Sequence, residues 1–114
     1  MIKVLASGSS GNCYLLETSN ETLILECGIR YKDILKGLNF DLSKVVGCLI
    51  THEHKDHCKA VNDLLVNGVE IYTSEGTSSA LDLKESKYSF RVNRLKHNVA
   101  SQIKKGKAGF TVVP

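Results

Sequence analysis

Histidine is scarce in this chain, four in 114 residues, and the single proline stands at position 114. No apolar run approaches the roughly 20 residues that a membrane helix needs, which excludes a spanning helix. The opening MIKVLASGSSGN offers one lysine and only VLA before its Gly/Ser stretch, too little for the apolar core of a signal peptide, so the expected compartment is the cytoplasm. There is no C-x-x-C pair. Cys13, Cys27, Cys48 and Cys58 are therefore expected to be reduced, buried thiols acting as small hydrophobes. The Gly-Lys-Ser/Thr ending of a phosphate-binding Walker loop is also missing from GSSGN, and no internal repeat or low-complexity tract occurs. At 114 residues the chain is one domain or part of one, too short for two that each bury a core. A hydrophobic content of 42% and a charged content of 24% are ordinary for a globular domain.

Acidic residues are nearly absent from one segment. Between Lys84 and Lys107 eight Lys or Arg face Glu85 alone, a local balance of +7, while residues 1–83 carry seven basic against eleven acidic side chains. Such a stretch attracts phosphate backbones or forms a solvated face. Its aromatics, Tyr88 and Phe90, are too few to count as a base-stacking platform.

What is present reads as alternating strands and helices. IKVLA, CYLLE and TLILE are short strands separated by the turn residues SGSSGN and TSNE, and they form a meander. IRYKDILKGL places Ile29, Ile34, Leu35 and Leu38 at helical spacing, and VVGCLI reads as a buried strand. KAVNDLLVNG carries Ala60, Val61, Leu64 and Leu65 on one helix face and stops at Asn67-Gly68. VEIYTS is the next strand, EGTSSALDL a helix, and YSFRVNRL and GFTVV are strands joined by a linker that contains KKGK. The fold class is α/β or α+β layering.

The chemistry concentrates in THEHKDHC, residues Thr51 to Cys58, which holds three of the four histidines and two acids. His52 and His54 are two apart, so on an extended segment both point to one side and can meet one metal ion. Asp56 and His57 follow where the chain turns into a helix and can reach a second ion. Glu53 and Lys55 alternate with the histidines and are expected to point away as solvated charges. Two ions roughly 3.5 to 4 Å apart can share a bridging water whose pKa falls toward about 7, which suits hydrolysis. Taken singly, Asp56 is equally a helix N-cap. Taken jointly, H-x-H-x-D-H after a buried strand points to divalent metal, up to two ions. Zinc fits the histidines, and manganese or iron fit the carboxylate participation.

THEHKDH resembles the H-x-H-x-D-H signature of the metallo-β-lactamase fold superfamily, and LASGSSGNCYLLE followed by LILECG resembles the N-terminal half of its YycJ/WalJ-type hydrolases, which are related to nucleases. The resemblance implies a metallo-β-lactamase-like αββα sandwich, of which residues 1–114 form a single partial domain. It implies that His52 and His54 bind the first metal, that Asp56 and His57 bind the second, and that Asp56 orients the attacking water. It implies that Ser9, Ser10, Gly11 and Asn12 contact substrate; on their chemistry alone these residues are a flexible hairpin.

Two departures stand out. The family's D-x-G after the third strand is here ECG, which puts Glu26 where an Asp braces the metal loop. The family completes its sites with a further His, a bridging Asp and a final His downstream. This chain has only His97, among basic residues and read as a surface histidine, while GFTVVP resembles the strand before the next metal ligand. The expectation is an N-terminal half whose uncovered sheet face invites self-association or the missing C-terminal half. The function implied is a metal-dependent hydrolase of phosphodiesters, with nucleic acid as substrate. The competing readings are a non-catalytic metal-binding or self-associating fragment and a nucleic-acid-binding module.

Overall fold

Six strands hydrogen-bond in the order of their sequence, β1-β2-β3-β4-β5-β6. They are β1 (Ile2–Ala6), β2 (Cys13–Glu17), β3 (Thr22–Leu25), β4 (Val45–Leu49), β5 (Ile71–Ser74) and β6 (Val92–Leu95). The structure is a computed structural model describing residues 1–103 and 109–113, the side chains of residues 55 and 56 excepted. Among the described residues no helix is long and apolar enough to cross a membrane.

The first three strands are the expected antiparallel meander, and β3 to β6 run parallel. Parallel neighbours need crossovers, and the helices supply them. These are α1 (Tyr31–Gly37) after β3, α2 (Lys55–Cys58) and α3 (Val61–Val66) after β4, and α4 (Glu75–Ala80) after β5. The helix read over KAVNDLLVNG is α3, and the His-rich stretch before it forms the separate short helix α2. The segment YSFRVNRL is a strand only in its second half, because Ser89–Arg91 is a 3-10 turn leading into β6.

Alternation along the strands sorts side chains onto two faces. Leu15, Ile24, Cys48 and Ile71 point to the helix side and pack with Ile34, Val61, Leu64, Leu65 and Leu83. Leu23 and Val46 point the other way. That face was expected to be bare, yet the stretch read as a linker contains β7 (Ser101–Ile103), which pairs antiparallel with β8 (Phe110–Val112). Ile103, Phe110 and Val112 pack onto Leu23, Val46, Leu25 and Tyr72. The basic residues at 104, 105 and 107 and the terminal proline lie outside the described residues. Cover does not extend to the sheet edge, where Ile2 and Val4 remain 62% and 59% exposed.

The four cysteines are buried thiols outside any disulfide, as the missing C-x-x-C pair implied. Burial pushes the Cys13 thiol up to about 12, with Cys27 and Glu26 adding to the effect. Burial likewise raises Cys48, which also hydrogen-bonds with Cys27. A thiol held protonated when folded and free to ionise near 9.0 when unfolded costs no stability below that pH. Above it, Cys13 alone lowers stability by about 1.4 kcal/mol per pH unit until pH reaches its folded value. Two outcomes are expected. Iodoacetamide at pH 8 leaves Cys13, Cys27 and Cys48 unmodified in the native protein and labels all of them in urea, and the melting temperature falls steadily above pH 9. Mass spectrometry showing Cys13 labelled without denaturant contradicts this account.

Candidate metal centre

In an open parallel sheet, ligands gather at the carboxyl ends of the strands, and the candidate residues sit there. Thr51 to His54 lead out of β4 and its extension at Ile50, and Glu26 immediately follows β3, its neighbour in the sheet. Glu26 adopts φ 63°, the left-handed region that non-glycine residues rarely occupy. The kink turns the chain sharply. Glu26 N–H still donates to Leu49 O (2.8 Å), while Cys27 N–H donates to His57 O (2.7 Å) and Cys27 O accepts from Ala60 N–H (2.8 Å). The end of β3 is thereby clamped to α2.

Buried Glu26 collects three donors. Thr51 N–H donates to Oε1 (2.8 Å), the Thr51 hydroxyl donates to Oε2, and His57 Nδ1 lies 2.9 Å from Oε2. Thr51 Oγ1 in turn lies 2.8 Å from His52 Nδ1. Glu26 thus joins Thr51 and His57 through one carboxylate, and the extra methylene does not take it out of their reach. Nitrogen and oxygen donors of Glu26, His52 and His57 all lie within 4.8 Å of one another. That donor set fits a divalent first-row cation.

The chain brings His52 closer to His57, with ring centroids 5.0 Å apart, than to His54, at 6.2 Å. His54 is the residue that opens α2, and its exposed ring lies outside the Glu26, His52, His57 group. The Asp56 side chain lies outside the described residues. Glu53 is exposed as expected, and its Oε2 accepts from the Thr77 hydroxyl at 3.4 Å. Cys58 does not join the donors. Its thiol donates to His54 O (3.1 Å) and Glu53 O (3.3 Å), fastening the loop from below. His97 is exposed on the segment between β6 and β7.

Ser9, Ser10, Gly11 and Asn12 form the β1–β2 turn. The Asn12 amide donates to Gly8 O (2.9 Å), and Gly28 N–H donates to Asn12 O (2.8 Å). This places the turn against the loop that leaves Glu26. Gly11 is required there, because a Cβ would stand 2.6 Å from Gly28 O. Ser9 and Ser10 are exposed. On the other side of Thr51 a largely apolar cavity of about 340 Å³ lies between Leu49, Thr73, Leu95 and Val112. Thr51 is the residue that sequence reasoning missed. Its place before His52 was visible, but its contact with Glu26 joins positions 25 apart.

Over residues 5–107 the sequence matches the family described as Anti-Pycsar protein Apyc1. The chain belongs to this family. This Apyc1-family chain is also similar to curated nucleases. The exodeoxyribonuclease WalJ of Streptococcus pneumoniae serotype 2 is 39% identical over 94 residues, 79% of this chain and 34% of that protein. The exodeoxyribonuclease YycJ of Bacillus anthracis is 34% identical over 83 residues, 69% of this chain and 31% of that protein. The chain thus spans about a third of the length of the curated relatives it matches. Among solved structures, the BLEG-1 B3 metallo-β-lactamase superposes with a TM-score of 0.60 at 23% identity, covering 69% of this chain and 39% of that one. The fold of this Apyc1-family chain is the metallo-β-lactamase fold.

Proposed function

We propose that this chain supplies the N-terminal ligand half of a metal-dependent phosphodiesterase that cleaves DNA. The observation that carries the reading is the convergence of His52 and His57, on either side of Glu26, at the carboxyl ends of β3 and β4. The names of the relatives support DNA as the substrate class. In this reading residues 1–114 are a single partial domain. His52 and His54 hold one divalent ion, and Asp56 and His57 hold a second. Zinc is the favoured metal, with manganese or iron as alternatives. Bound metal supplies hydroxide at neutral pH by lowering the pKa of its water. Asp56 orients that water, and Glu26 holds the loop that carries the histidines. The turn at Ser9, Ser10, Gly11 and Asn12 lies where it touches the substrate, and the reaction belongs in the cytoplasm. The exposed Ile2 and Val4 are the edge that self-association or a C-terminal half covers.

One observation favours a binding role beside catalysis. Phe90 is 71% exposed, and the Arg91 guanidinium stands 4.8 Å from its ring and 5.1 Å from that of Tyr88. Together with Lys87 this offers cation and π-face to single-stranded nucleic acid. The turn precedes β6 and so lies at the end of the sheet away from the histidines.

The test is cleavage of end-labelled DNA with added manganese or zinc, alongside metal content and a His52→Ala control. The reading expects metal to copurify and the control to lose both metal and cleavage. Cleavage unchanged by His52→Ala overturns it. DNA binding without cleavage or metal leaves the nucleic-acid-binding module in its place.

A further inference from the structure

We propose that the Thr51 hydroxyl is a positioning group that fixes which nitrogen of His52 carries the proton, and that through it one carboxylate orients two histidines. A hydroxyl has one proton to give and two lone pairs with which to accept. Thr51 Oγ1 contacts Glu26 Oε2 and His52 Nδ1. The carboxylate can only accept, so it takes the hydroxyl proton. Thr51 Oγ1 is then left to accept at 2.8 Å, and the donor must be His52 Nδ1–H. The Nε2 lone pair of His52 is thereby bare.

The same carboxylate oxygen treats His57 directly. Nδ1 of His57 lies 2.9 Å from Glu26 Oε2 and donates to it, which places the His57 proton on Nδ1 as well. Glu26 thus reaches one ring through a hydroxyl and the other through none. Its remaining oxygen accepts Thr51 N–H at 2.8 Å, so the threonine backbone is held by the residue its side chain serves. Two contacts to one residue leave the hydroxyl little freedom to swing toward another acceptor. Neutral imidazole otherwise divides its proton between two nitrogens, and a ring with the proton on Nε2 presents no lone pair there. Fixing the tautomer before metal arrives removes that loss.

The affinity arm of this inference rests on the metal reading above; the tautomer arm does not. The experiment is ¹⁵N-edited NMR of the histidine rings in metal-free protein at a pH where they are neutral, followed by zinc titration. The native chain is expected to show His52 and His57 with the proton on Nδ1. Thr51→Val keeps the shape and removes the hydroxyl. It is expected to turn His52 into a mixture of tautomers, to leave His57 unchanged, and to weaken zinc binding about 10- to 100-fold. Thr51→Ser is expected to restore both. Circular dichroism of each variant confirms that the fold is kept. A native His52 with its proton on Nε2, or a His52 signal indifferent to Thr51→Val, overturns the relay. A moved tautomer with unaltered zinc affinity supports the relay and overturns the reading of His52 as a ligand.

Discussion

Glu26→Gln is expected to weaken metal binding about 10- to 100-fold and to cost the metal-free protein about 1 to 3 kcal/mol, although the two side chains have nearly the same shape. Three donors converge on this carboxylate, from Thr51 N–H, the Thr51 hydroxyl and His57 Nδ1. An amide offers them one oxygen and two protons of its own. With its oxygen in the place of Oε2, the NH₂ group confronts Thr51 N–H, and two donors face each other in a buried spot. Turned over, it satisfies Thr51 N–H but confronts His57 Nδ1, which must then accept and carry its proton on Nε2, the nitrogen left for metal. The first arrangement loses a partner, and the second blocks a ligand. Glu26→Asp keeps the charge and shortens the reach, so it is expected to fall between Gln and the native residue. Thermal unfolding in chelator and zinc titration in parallel read the two effects separately. A Gln variant equal to the native chain in both measurements removes Glu26 from the brace role.

The sequence announced this site unevenly, and the reasons are geometric. The strand-to-helix placement of THEHKDH was legible because a buried β-branched run and an apolar helix face flank it. An extended-chain argument paired His52 with His54 by their spacing of two. In the fold the backbone turns into a helix at His54, and the residue five positions on, His57, swings beneath His52. Periodicity cannot see such a turn. The brace at Glu26 was visible only through resemblance, since nothing local in LILECG signals the left-handed residue that aims the carboxylate. Thr51 was invisible for a related reason: its role is a contact across 25 residues. Strand β7 escaped because three residues, Ser101 to Ile103, are too few to show alternation beside a basic stretch. Its Ile103 nevertheless seals the second face of the sheet.

The two faces of β3 differ in what truncation costs, and Ile24→Ala is expected to have the largest effect on stability of any single change considered, about 2 to 5 kcal/mol. Ile24 is fully buried, lies opposite Leu15 on β2 and Cys48 on β4, and looks into the layer formed by the helices. Its strand neighbours Leu15 and Cys48 are held in the ladder, so the space left by the lost methyl and ethyl groups collapses little. Against a total of about 5 to 15 kcal/mol for a typical domain, such a loss unfolds a substantial fraction of molecules under mild heating. Leu23 is almost as buried, at 2%, but its cover is the β7–β8 hairpin, two strands of three residues each. A hairpin of that size can shift inward, so Leu23→Ala is expected to cost less than Ile24→Ala. Val4→Ala, on the exposed edge, is expected to stay within about 0.5 kcal/mol of the native chain. Urea titrations should show the midpoint falling in that order with the slope unchanged. If Leu23→Ala proves the more damaging, the hairpin side rather than the helix side is the rigid core. Glu26, two residues beyond Ile24 on the same chain, is then held in place from the face that also borders the Thr51 cavity.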